Sequence, residues 1–198
     1  ESLRRAHGIG LTVEDYTKSI HGVAVIEKGN LKAAGCTDCH SSHDLRRRED
    51  SLSQTFKPNI SKVCAACHQG IATEYGASVH GNALARGNMD SPTCTDCHSE
   101  HSIRPPEDPE STVSSLRISK TTCPSCHSAE RIVRKYGLPG DRVVTYQDSY
   151  HGLADQEGST AVANCASCHG VHNILPSADP RSTVSKANLL TTCRRCHE

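Results

Sequence analysis

Twelve cysteines and thirteen histidines in 198 residues carry the chemistry of this chain. Every cysteine belongs to a Cys-x-x-Cys pair, and a histidine follows each pair at once. The six motifs are CTDCH (36–40), CAACH (64–68), CTDCH (94–98), CPSCH (123–127), CASCH (165–169) and CRRCH (193–197). Two thiols at this spacing can add across the two vinyl groups of a porphyrin. The adjacent imidazole then points at the iron as its proximal ligand, which makes the pattern the attachment signature of c-type haem.

Other uses of paired cysteines fit less well. Zinc sites and disulfide frameworks both employ them, but neither requires histidine after every second cysteine. With 13 histidines in 198 residues, six such coincidences have a chance on the order of 10⁻⁷. A redox Cys-x-x-Cys would not recur six times. The expected thioether residues are Cys36, Cys39, Cys64, Cys67, Cys94, Cys97, Cys123, Cys126, Cys165, Cys168, Cys193 and Cys196, holding six haem c groups with their iron. His40, His68, His98, His127, His169 and His197 are the proximal ligands, and no cysteine is left for a disulfide.

Seven histidines remain, and six of them keep a register. His21, His80 and His151 sit in SIHG, SVHG and SYHG, 15, 14 and 14 residues before the first motif of a pair. His43, His101 and His172 end CxxCHxxH strings and precede the second motif by 21, 22 and 21 residues. Surface histidines have no reason to hold such spacings, so these six are read as distal iron ligands. Residues i and i+3 share a face of a helical turn, whereas a distal ligand approaches from the far side of the porphyrin. His101 should therefore serve another iron than that of His98, the simplest being the next along the chain. On that logic the axial pairs are His21–His40, His43–His68, His80–His98, His101–His127, His151–His169 and His172–His197. Exchange of distal histidines between units or chains is the alternative. His7, outside the register, is a candidate inter-subunit contact.

These ligands must be positioned by a chain with little apolar material. Hydrophobic residues make up 35%, with no Trp, one Phe and one Met, too few for a conventional core without covalent or metal staples. The motifs recur as three two-haem units, 1–70, 71–130 and 131–198. The second motif starts 28, 29 and 28 residues after the first. The last two units also share DPxSTV (108–113 and 179–184). Joins rich in Pro, Gly, Ser and Asp, such as RPPEDPES (104–111), YGLPGD (136–141) and LPSADP (175–180), predict loops. The expected fold is mainly loop with short α-helices carrying the CxxCH motifs, little or no β-sheet, and stacked haems acting as the core. Zero formal charge gives no case for nucleic-acid binding. No apolar run approaches a membrane span. Thioether attachment is made after export, so an extracellular, cell-surface or periplasmic location is expected, and a start at Glu1 is what a processed export product would show.

Six haems and six registered spare histidines leave no open iron position, which favours electron shuttling over catalysis. Met89, the lone methionine, is read as packing. Arg46, Arg47, Arg48, Arg194 and Arg195 are candidates to offset the haem propionates.

The chain resembles multihaem c-type cytochromes, and within them the extracellular types in which CxxCHxxH and SxHG recur in tandem. The resemblance implies loops and short helices around closely spaced haems, alternately parallel and T-shaped. It also implies respiratory electron transfer out of the cell, in some members through head-to-tail filaments. The repeat frame here continues across the chain ends. HGIGLTVEDYTKSIHG (7–22) corresponds to YGLPGDRVVTYQDSYHG (136–152), and a second copy placed after His197 would keep nearly the same step. A head-to-tail homopolymer, or a piece of a longer repeat protein, accounts for this. The functional readings are a conductive extracellular filament subunit, then a discrete periplasmic or surface carrier, then a multihaem reductase. Redox proteins or extracellular acceptors would be its partners.

Overall fold

The computed structural model describes residues 9–198, so His7 lies outside the described residues. The chain is a succession of short helices joined by turns, with no strand among the described residues. Among the described residues the longest helices, Ile9–Thr17 and Gln69–Ala77, have nine residues each, and none is long and apolar enough to cross a membrane. The expected class of fold is what forms.

Apolar burial is as scarce as the composition suggested. Leu84, Ile132 and Leu175 are the buried hydrophobic side chains among the described residues, whereas buried serines recur along the whole chain. Met89 is 46% exposed, so it does not pack in a core. What holds the backbone is a set of polar devices repeated in each unit.

The first device explains SxHG. Ser19, Ser78 and Ser149 cap the helices Ile20–Ile26, Val79–Ala85 and Tyr150–Gln156. Each hydroxyl accepts the N–H of Gly22, Gly81 or Gly152 at 3.0, 3.1 and 3.2 Å. It also donates to the carbonyl of Tyr16, Tyr75 or Tyr146 at 2.7, 2.6 and 2.6 Å, so both roles of the hydroxyl are used. The glycine lets this helix press on the one before it. A Cβ on Gly22, Gly81 or Gly152 would stand 1.9, 2.1 or 2.0 Å from the same tyrosine carbonyl oxygen. The tyrosine hydroxyls in turn reach forward to the loop ahead of the next motif, donating to Ala34, Pro92 and Ala163 carbonyls.

The second device is an Asx turn. Asp50, Asp108 and Asp179 accept the N–H two residues on, at 2.8–2.9 Å, as aspartates do in turns. Buried Ser53, Ser111 and Ser182 then tie the turn back to the carbonyls of Arg46, Arg104 and Leu175. DPxSTV thus has a first-unit counterpart, DSLSQT (50–55), that spelling alone concealed. The extra residue in the second unit's motif spacing is absorbed in a π-helical turn at Ile118–Thr122. A one-residue insertion within a helix takes this form. The corresponding segments Ile60–Ala65 and Leu189–Cys193 are α-helical.

Gly81→Ala is expected to cost about 1–3 kcal/mol, as an overpacked contact does, and Ser78→Ala about 1 kcal/mol through the lost cap. Guanidinium unfolding followed by circular dichroism checks both. A Gly81→Ala protein as stable as its parent would sink the account of the close helix crossing.

Candidate haem-binding sites

Each first motif is a single helical turn: Cys36–His40, Cys94–His98 and Cys165–His169. At positions i, i+3 and i+4 the two thiols and the imidazole project from one face. The turns are closed at their starts by Asp38, Asp96 and Ser167, which accept the N–H of Gly35, Thr93 and Asn164 at 2.7, 2.8 and 3.1 Å. The second motifs form the same turn, with His68, His127 and His197 donating backbone N–H to Cys64, Cys123 and Cys193 at 2.8–3.0 Å.

The first-motif helices stop at their histidines. Ser41, Ser99 and Gly170 follow with φ of 66°, 70° and 79° and ψ of 174°, 172° and −176°, an extended positive-φ conformation through which a helix does not continue. Two of the three are serines, for which this conformation carries a steric cost that glycine avoids. The chain is thereby turned away before it reaches the second histidine of CxxCHxxH. The expected shared helical face for His98 and His101 does not form, because the helix between them is broken at Ser99.

The rings that the structure brings together are not those of the expected pairing. His21 faces His68 with centroids 6.2 Å apart, His80 faces His127 at 6.2 Å, and His151 faces His197 at 5.9 Å. His40 faces His101 at 5.9 Å, and His98 faces His172 at 6.1 Å. The pairings His21–His40, His43–His68, His80–His98, His101–His127, His151–His169 and His172–His197 are not the ones brought together. The SxHG histidine goes to the second motif of its own unit. The CxxCHxxH histidine goes backwards, to the first motif of the preceding unit. His43 and His169 have no ring partner among the described residues.

A metal–imidazole bond is about 2 Å, and a ring centroid lies about 1.1 Å behind its nitrogen, so two imidazoles across one iron stand roughly 6 Å apart. All five pairs keep that distance, while their interplanar angles run from 4° to 58°. Direct ring contacts are selected by orientation. Constant separation with free rotation is what an atom between two rings requires, and haem iron fits. Burial helps by keeping the rings neutral and their lone pairs available. It pulls His80 down to about 4, with His127 adding to the effect, and lowers His21, His98 and His127 as well.

The twelve cysteines are unpaired, and the motifs follow one another in space in chain order. Cys39 interacts electrostatically with Cys67, Cys97 with Cys126, and Cys168 with Cys193. Between units, the helix Ile60–Ala65 packs against the turn Cys94–His98, and Ile118–Thr122 packs against Cys165–His169, where the Cys165 backbone N–H donates to the Ser119 hydroxyl at 3.1 Å. The thiols facing each other across these joins, Cys64 with Cys94 and Cys123 with Cys165, raise the first of each pair and lower the second. Among the described residues no three His, Cys, Asp or Glu side chains converge as a separate metal site.

The arginines divide. Arg46 is held by Asp44 and Asp50 at 2.9 and 3.0 Å, and Arg48 pairs with Glu49 and Glu100 at 3.9 and 3.6 Å. Arg47, Arg194 and Arg195 have no carboxylate partner among the described residues.

His101→Ala is expected to turn one haem high-spin in the ferric electron paramagnetic resonance spectrum. The change should vanish when Cys36 and Cys39 are also replaced by Ala, and persist when Cys123 and Cys126 are replaced instead. The opposite pattern would restore the His101–His127 pairing.

No curated protein and no solved structure matches the chain. Residues 29–73, under a quarter of its length, match the family described as "Doubled CXXCH motif". Together with the twelve cysteines, all in CxxCH motifs, that match indicates a multihaem c-type cytochrome with covalently bound haem c.

Proposed function

We propose that the chain is an electron carrier holding six haem c groups, each with two axial imidazoles, and that it serves as a subunit of an extracellular conductive filament. The observation that carries this reading is the common 5.9–6.2 Å spacing of five histidine pairs from three repeats. Haem c, when bound, supplies an iron that gains and loses one electron while keeping both nitrogen ligands.

The protein's part is placement. The CxxCH turns present two thiols and a proximal histidine on one face. The SxHG helices and the segments after the positive-φ residues deliver the distal histidines: His21, His43, His80, His101, His151 and His172. Bis-imidazole ligation closes the positions at which a substrate would bind, and it points to low potentials, since methionine ligation is what raises them. Successive motifs pack on one another across both joins between units, Ile60–Ala65 on Cys94–His98 and Ile118–Thr122 on Cys165–His169, which supports a continuous path rather than isolated centres. The tandem frame supports the filament role, and thioether attachment supports export.

Mass spectrometry of the denatured, exported protein should show six haem additions per chain, and the chain's ferric spectrum should be dominated by low-spin iron. Fewer additions would remove the corresponding motif from the reading. Negative-stain micrographs should show filaments. A dispersed single-chain species would instead make it a discrete carrier.

A further inference from the structure

His151 follows His127 at twice the distance at which His80 follows His68. After His68 the helix Gln69–Ala77 leads straight to the cap Ser78. After His127 an additional helix, Glu130–Tyr136, comes before Arg142–Gln147 takes the corresponding place. It carries Ile132, one of the few buried apolar side chains.

This additional helix folds back onto the loop that follows Val79–Ala85. Arg131 and Lys135, one turn apart on one face, reach the Asp90 carboxylate at 2.9 and 2.7 Å. The Tyr136 hydroxyl lies 2.7 Å from both Asp90 Oδ2 and Asn88 Oδ1. Asp90 is fixed in its loop by its own N–H, which donates to Asn88 Oδ1 at 3.0 Å. The adjacent Ser91 hydroxyl donates to the His80 carbonyl at 2.8 Å. On the other side, Glu130–Tyr136 packs on the turn Pro124–His127, and the Ala129 N–H donates to the Cys126 carbonyl at 3.1 Å. The contact thus joins the segment carrying His80 to the segment carrying His127, whose rings face each other at 6.2 Å.

The other units do not repeat it. The tyrosine bonds to the Ala34, Pro92 and Ala163 carbonyls set the register of the three loops. They put Lys32 and Ala161 at the place of Asp90, and Ala33 and Val162 at the place of Ser91. Asn30 accepts the Lys32 N–H at 3.1 Å, so the first loop is the same turn carrying the opposite charge.

We propose that Asp90, with Arg131, Lys135 and Tyr136, is a positioning clamp for both axial histidines of the haem attached at Cys123 and Cys126. An outside ligand reaches an iron held by two imidazoles only when one of them swings away. Here that motion must part the His80 helix from the segment after His127, and the clamp opposes it. The haem between His21 and His68 has no such contact among the described residues and opens more readily. The proposal rests on the bis-imidazole reading above and distinguishes one haem within it.

The test uses the complete haem-loaded chain, with cyanide uptake by the ferric haems and electron paramagnetic resonance for spin state. His80→Ala and His21→Ala identify the two haems, since each opens one of them. In the parent, cyanide should enter the Cys123–Cys126 haem several-fold more slowly than the Cys64–Cys67 haem. Asp90→Ala should abolish that difference and leave the Cys64–Cys67 rate unchanged, and Asp90→Glu should restore most of it. Should Asp90→Ala fail to load haem, Lys135→Gln, at an exposed side chain, should narrow the difference. Equal rates in the parent overturn the proposal. So does an Asp90→Ala or Lys135→Gln protein that is less stable to denaturant but keeps both parent rates. A Cys123–Cys126 haem already high-spin in the parent would remove the bis-imidazole reading and the clamp together.

Discussion

Two imidazole rings must be held about 6 Å apart although they come from distant parts of the chain, and everything else in this fold serves that separation. With three buried apolar side chains among the described residues, apolar burial within the polypeptide does little to order so long a chain. The serine caps, tyrosine hydrogen bonds and Asx turns select one conformation around the cofactor. They do not create the stability by themselves.

The chemistry of the sites was legible in the sequence because it depends on local spacing. Cysteines at i and i+3 with histidine at i+4 make one face of a turn wherever they occur, and the fold class followed from the same turns plus the scarcity of apolar residues. SxHG was legible as a register but not as a structure. Its serine is a cap, its glycine a crossing point, and the tyrosine five residues before each histidine (Tyr16, Tyr75, Tyr146) is the partner of both. That constant offset was available as a signal. The pairing was not legible, because it turns on the sign of φ at Ser41, Ser99 and Gly170. Two of these are serines, and nothing in their identity announces a positive φ. Taking the segment as continuous helix sent His101 forward to His127, whereas the break sends it back to His40.

This reversal changes what a repeat is. The boundaries that the motifs suggest, near 70 and 130, cut through ring pairs at both joins. The histidine of a unit's second motif faces a ring from within the unit, and that of its first motif, at both joins, a ring of its successor. Such units resemble the elements of a solenoid, stable through their neighbours more than alone, with the neighbour here supplying a facing imidazole as well as a surface. Ion pairs cross the first join too, Arg48 to Glu100 and Lys57 to Asp96 at 3.6 and 3.2 Å, although exposed pairs of this kind add little.

Polarity follows from the same arrangement. Every join runs from a first-motif histidine to a CxxCHxxH histidine further along, never the reverse, so the row of motifs has a direction before any partner is considered. That direction comes from the positive-φ residue that breaks each first-motif helix, since it turns the chain back toward the preceding unit before the CxxCHxxH histidine is reached.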